Sequence, residues 1–263
     1  MIFLKLGGSL ITDKTRDNTA RLDVIARLAA EIAAYKSTHE ETLLIGHGSG
    51  SFGHAAARRY GTRDGVHSAE GWRGFAEVSV VAARLNRLVA DALNDAGMPV
   101  VSIAPSASAQ CVDGRLVSLD TRLIDAALGC RLAPLVMGDV ALDSIRGGTI
   151  VSTEEVFAYL AGIYPVSRIL LAGETAGVYR SLAQPDVVER ITPQSWAIVR
   201  GGIGGSHGAD VTGGMAGKVR DMLDLVAAHP RLTVRIFSGA VAGNVTRALD
   251  GESIGTLISA EPA

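Results

Sequence analysis

The 263-residue chain is 48% hydrophobic and 20% charged, with a formal net charge of −2, enough apolar content for one large domain or two lobes around a substantial core. That charge balance gives no basic face for nucleic acid or an anionic membrane, so neither is an expected partner and any bound anion must be held locally. Cys111 and Cys130 lack C-x-x-C spacing and are too few for a disulfide framework, and no apolar run approaches the ~20 residues of a membrane span, so the chain reads as soluble and cytoplasmic.

Short apolar runs then alternate with amphipathic stretches. IFLKL (2–6) predicts a strand ending in a Gly7-Gly8-Ser9 turn. From Arg21 to Tyr35, the residues Leu22, Ile25, Leu28, Ala29 and Ile32 recur at helical spacing. TLLIG (42–46) predicts a second strand, which enters HGSGSFGH (47–54). SAEGWRGF (68–75) reads as a loop entering a helix whose apolar face is Phe75, Val78, Ala82, Leu85, Val89 and Leu93, with Gly97 and Pro99 breaking the pattern. PVVSIAP (99–105), PLVMGDV (134–140), RILLAGE (168–174), VRIFSG (234–239) and GTLIS (255–259) predict further strands, and a helix follows Ser152-Thr153 and ends near Gly162 to Pro165. Strands with so few polar positions are buried on both faces. The expectation is a three-layer α/β/α sandwich with a mainly parallel open sheet, one continuous fold of two lobes, residues 1–164 and 165–263. Ligands gather at the carboxyl ends of strands in such sheets, where the glycines cluster.

Three of those clusters require a common explanation: KLGGS (5–9), GHGSGSFGH (46–54) and DVTGGMAGK (210–218). Each follows a strand or precedes a helix, so backbone N–H groups can converge on an anion without a Cβ in the way. The bases agree with this. Only four lysines, at 5, 14, 36 and 218, stand against 21 arginines, and three of the four lie in or beside the clusters. An ammonium is a compact charge that can follow a moving phosphoryl group, whereas a guanidinium is a broad fork. Gly48, Gly50 and Gly53 also satisfy G-x-G-x-x-G, but the acidic residue about 20 positions on, Glu70, has no strand to present it. A P-loop is excluded too: only three residues separate Gly213 from Gly217, and valine follows Lys218.

Taken in order and spacing, KLGGSLITDK (5–14), GSGSFGH (48–54), PLVMGDV, AGETAGVY (172–179) and DVTGGMAGK resemble the amino acid kinase superfamily, and within it the isopentenyl phosphate kinases. The resemblance implies an amino acid kinase-like fold and transfer of phosphate from ATP to isopentenyl phosphate, giving isopentenyl diphosphate for isoprenoid biosynthesis. It implies a homodimer, the acceptor and dimer surface on residues 1–164, ATP on residues 165–263, and Mg2+ held by ATP phosphates with no metal ligand from the protein. Lys5 and Lys218 would flank the transferring group, and Lys14 would stabilise its equatorial charge. Glu154, where relatives carry aspartate in Ser-Gly-Asp, would orient the lysines. His54 would donate to the acceptor phosphate, beside Ser49, Gly138 and Thr153. The amides of Gly7, Gly8 and Ser9 would meet ATP phosphates, with Gly50, Glu174, Gly177 and Gly214 also on the ATP side. His47 reads as a hydrogen-bonded turn residue without chemistry. An acceptor phosphate is already anionic at pH 7, so no general base is needed.

Departures from the family pattern are specific. Gly48-Ser49-Gly50 stands where three glycines are usual, and Glu174-Thr175-Ala176-Gly177-Val178-Tyr179 replaces Asp-x-Asp-Gly-Val-Tyr. The glycine-rich stretch 200–214 would form a loop near ATP. Val78, Val81 and Leu85 suit either core or a pocket for a five-carbon tail. Two alternatives stay open: a kinase of fosfomycin or another phosphonate or small phosphate, and a nucleotide-binding sensor without chemistry.

Overall fold

The computed structural model describes residues 1–181, 186–201 and 214–261, with side chains for all of these except His54 and Ala55. The first part of the chain runs β1 (Ile2–Leu6), α1 (Gly8–Ile11), α2 (Leu22–Thr38), β2 (Leu43–His47), α3 (His54–Tyr60), α4 (Ala69–Asp95) and β3 (Val100–Ser102). There follow β4 (Gln110–Val112), β5 (Arg115–Ser118), α5 (Arg122–Gly129), β6 (Ala133–Met137), β7 (Asp139–Asp143), β8 (Gly147–Val151) and α6 (Thr153–Ala161). The remainder is β9 (Arg168–Gly173), β10 (Arg190–Ile191), α7 (Pro193–Val199), α8 (Gly214–Ala228), β11 (Thr233–Ser238), α9 (Asn244–Leu249) and β12 (Thr256–Ile258).

Eight strands form one sheet in the order β10-β12-β11-β9-β1-β2-β6-β3. All neighbours from β11 to β3 pair in parallel, β12 pairs antiparallel with β11, and β10 follows the direction of β12. β1 lies between β2 and β9, so the chain leaves β1 toward one edge and later returns to its other side. Such a reversal opens a crevice at the carboxyl end of the strand.

Alternation along β1 decides what faces that crevice. Ile2, Leu4 and Leu6 pack with α2, α4 and α9 in one apolar layer, so Phe3 and Lys5 point to the opposite side. There Phe3 meets Phe157 of α6, ring centroids 5.0 Å apart, within the layer that α5, α6 and α8 cover. Helices on both faces of a mainly parallel sheet make the three-layer α/β/α sandwich.

Three local readings need correction. The Gly7-Gly8-Ser9 turn is a one-turn helix whose Leu10 and Ile11 amides donate back to the Gly7 carbonyl. SAEGWRGF is already helical, because the Ser68 hydroxyl accepts from the Gly71 amide and caps α4. PLVMGDV is two strands in different sheets: Gly138 separates β6 from β7, and β7 belongs to a second sheet ordered β5-β4-β7-β8. The β4–β5 hairpin of that sheet turns at Asp113-Gly114, both at positive φ (50° and 78°), a dipeptide that signals such a turn. Among the described residues no helix is long and apolar enough to cross a membrane.

Candidate active site

Lys5, Glu154 and Lys218 converge from three elements on the carboxyl end of β1. Ser152 caps α6 in a reciprocal box with Glu155, which leaves Glu154 in the first turn, where the helix dipole favours a carboxylate. Glu154 forms an ion pair with Lys5 through Oε2, and its Oε1 lies 3.6 Å from Lys218 Nζ, one turn into α8. Burial pushes the Glu154 carboxyl up, but Lys5 and Lys218 outweigh it and bring the group down to about 2. Two ammoniums share one carboxylate.

The glycine loops meet directly above these groups. A Cβ on Gly8 would lie 2.3 Å from the Gly50 nitrogen. Gly50 itself is at φ +50°, and its Cβ would lie 2.1 Å from Thr12 Oγ1. Both positions therefore require glycine for loop-to-loop packing, apart from any ligand. Thr12 Oγ1 secures the contact, donating to Gly8 O at 2.7 Å and accepting from the Ser51 amide at 2.9 Å. The Gly7 amide is committed to the Ala172 carbonyl at 2.8 Å. Of the three donors expected for ATP phosphates, Gly8 and Ser9 are thus the ones at the free start of α1.

This arrangement, two lysines on one acidic helix start beneath apposed glycine loops, accompanies a match of residues 1–238 to the amino acid kinase family. The chain belongs to the amino acid kinase family. It is a phosphotransferase on that ground. It is 35% identical to the isopentenyl phosphate kinase of Methanothermobacter thermautotrophicus across 98% of this chain and 99% of that one. The isopentenyl phosphate kinase of Haloferax volcanii is likewise 35% identical, with 99% of each chain covered. A solved isopentenyl phosphate kinase structure superposes with a TM-score of 0.83 at 33% identity, covering 98% of this chain and all of its own.

Within this amino acid kinase, the other expected site residues are spread more widely. Lys14 is exposed on the loop closed by the Thr12–Ala20 bridge and is not joined to the lysine cluster. Ser49 leads into the turn at Gly50–Phe52, and Gly138 donates to the His47 carbonyl at 3.3 Å. Thr153 is buried, and its hydroxyl donates to the same carbonyl at 2.6 Å, so it has only oxygen lone pairs to offer a ligand. His54 begins α3, but its side chain lies outside the described residues, as does most of the 200–214 stretch. Gly214 is the first residue of α8.

Glu174 is partly exposed and ion-paired. Its carboxylate accepts from Arg21 at 2.9 Å, tying the start of α2 to the end of β9. A Cβ on Gly177 would lie 2.7 Å from Thr256 Oγ1, so that glycine permits close packing on β12. Val78, Val81 and Leu85 are all core: Val78 packs with Ala56, Ala57 and Val140, and the other two face α2.

Residues absent from the sequence reading also shape the site. Arg63 makes a two-pronged pair with Glu155 at 2.9 and 2.9 Å, bracing the cap of α6 from the segment after α3. Asp139, buried at the break in PLVMGDV, accepts from the Val140 amide at 2.8 Å and the Ser106 amide at 3.1 Å, and burial pushes its carboxyl up. His47 is buried and bonded as expected, but as the end of β2 and with a partner on α4, Asn86, that no local signal announces.

Proposed function

We infer that the chain transfers the γ-phosphoryl group of ATP to isopentenyl phosphate, releasing ADP and isopentenyl diphosphate. The single observation behind this reading is the Lys5–Glu154–Lys218 cluster at the end of β1, in a chain 35% identical over nearly its whole length to named isopentenyl phosphate kinases. An acceptor phosphate oxygen would attack the γ-phosphorus as the bond to the β-phosphate oxygen breaks. Positioning and cations are what such a transfer needs from protein. Lys5 and Lys218 would hold the group in transit, with Glu154 fixing the spacing of their ammoniums. The Gly8 and Ser9 amides would face ATP phosphates, and Lys14 would approach from its loop. His54, with Ser49 and Gly138, would hold the acceptor.

The donor set suits polyphosphate. Two ammoniums flank a carboxylate already paired, and among the described residues no group of three or more His, Cys, Asp or Glu stands together. Mg2+ would arrive on ATP, offsetting phosphate charge. Residues 1–164 would form the acceptor lobe and residues 165–263 the ATP lobe. The family resemblance extends the proposal to a cytoplasmic homodimer with its contact on the first lobe. Initial-rate ADP release with MgATP and either isopentenyl phosphate or fosfomycin tests the assignment. We expect isopentenyl phosphate to be favoured at least about tenfold in kcat/KM. The opposite preference overturns the substrate, and no ADP release with either overturns the enzyme in favour of a sensor.

A further inference from the structure

We propose that Asn86 is a positioning residue for this transfer: it fixes the buried His47 ring in the tautomer whose Nδ1 proton holds the Gly48 carbonyl, and thereby the glycine loop beside Lys5. The fixed acceptor Gly48 O, together with the Asn86 amide as Ser102 orients it, determines the tautomer. The Ser102 hydroxyl donates to Asn86 Oδ1, which turns the Asn86 NH2 toward His47. That NH2 lies 3.0 Å from His47 Nε2 and can only donate, so Nε2 must present a lone pair. The Gly48 carbonyl, 3.2 Å from Nδ1, can only accept, so Nδ1 must carry the proton.

His47 is also a junction of the site. Its own carbonyl accepts from Thr153 Oγ1 at 2.6 Å and from the Gly138 amide at 3.3 Å, the two positions flanking the α6 start. Gly48 donates to the Leu6 carbonyl at 3.0 Å, and a Cβ on it would lie 2.9 Å from the Gly8 nitrogen and 3.6 Å from Lys5 Cε. Gly48 is thus packed closely against the first amide of α1 and the flank of Lys5. Burial, with a smaller contribution from Lys5, lowers the imidazole to about 4, so it stays neutral at pH 7 while the Gly48 carbonyl is held.

The proposal rests on the kinase reading in its kinetic arm alone; the tautomer is read without turnover. Long-range proton–nitrogen NMR on the 15N-labelled full chain at pH 7 should show the His47 ring, assigned by the loss of its signals in His47→Gln, as neutral with the proton on Nδ1. A proton on Nε2, or rapid averaging between the two nitrogens, overturns the proposal. Asn86→Leu keeps the volume and removes the donor, whereas Asn86→Asp puts a carboxylate there that pairs with the doubly protonated ring, so that Nε2–H meets the carboxylate and Nδ1–H still meets the Gly48 carbonyl. We expect Asn86→Leu to lower kcat about tenfold or more with both KM values within about threefold, and Asn86→Asp to retain the greater kcat. A space-filling role gives the reverse order, since a buried charge is then the costlier change, and that order overturns the proposal. Ser102→Ala, which frees the Asn86 amide to turn over, should show tautomer averaging even if neither Asn86 variant folds, and a spectrum like wild type contradicts the orientation argument.

Discussion

Replacing Glu154 by glutamine removes the charge that Lys5 and Lys218 share while keeping the side chain's shape. Glu154 is 13% exposed, so its interactions are little screened by water. Lowering its carboxyl from an ordinary 4.5 to about 2 corresponds to roughly 3 kcal/mol in favour of the folded, ionised form. Glu154→Gln should therefore lower the urea-unfolding free energy at pH 7 by about 3 kcal/mol, because two clustered ammoniums lose the carboxylate they share. A depressed carboxyl stabilises fully above its unfolded value and loses that contribution as pH falls through its folded one. The gap between wild type and variant should thus be complete above about pH 4.5 and close toward pH 2. MgATP, which brings its own anion to the lysines, should stabilise the variant more than the wild type. If all of the lost alignment is expressed in the transition state, kcat falls roughly a hundredfold. A gap under about 1 kcal/mol at pH 7, or one unchanged at pH 3, would refute the argument that Glu154 is held ionised by the two lysines.

Lys14→Ala should leave the ATP dissociation constant by calorimetry within about threefold while lowering turnover at least about a hundredfold, and a loss under tenfold removes Lys14 from the transfer. His54→Ala should raise KM for the acceptor phosphate or abolish turnover with ATP binding spared; a change confined to the KM for ATP contradicts its assignment to the acceptor. Gly8→Ala should cost more than about 2 kcal/mol in thermal or urea unfolding because its Cβ would meet the Gly50 nitrogen at 2.3 Å, whereas Gly129→Ala, at a helix end with open space around it, should be neutral or stabilising by up to about 1 kcal/mol. Equal effects from the two would sink the close-approach explanation.

The parts of the fold that rest on local pattern were legible in the sequence. Leu22 to Ile32 announced α2 by spacing alone, and the apolar run IFLKL announced β1, whereas the side on which Lys5 lies follows from the packing of α6 and α8. Glu154 came from the family resemblance, which places an acidic residue at that helix start, and the structure does put it in the first turn of α6. What escaped depends on pairs distant along the chain. Glu174 and Arg21 are 153 residues apart, and His47 and Asn86 are 39 apart, so no spacing rule joins them. The change of sheet at Gly138 escaped for a different reason: PLVMGDV is apolar on both sides of the glycine, and hydropathy does not record which sheet a strand joins. Gly7 illustrates a third limit, since its amide could be read as a phosphate donor until Ala172 was seen to take it.

The most direct test of the central claim, that the paired lysines pass a phosphoryl group from ATP to an acceptor phosphate, is 31P NMR of the protein incubated with MgATP and isopentenyl phosphate. The account predicts that the monophosphate singlet is replaced by the two coupled doublets of an alkyl diphosphate as ADP accumulates in equal amount. ADP appearing with free inorganic phosphate while the monophosphate singlet persists would contradict it.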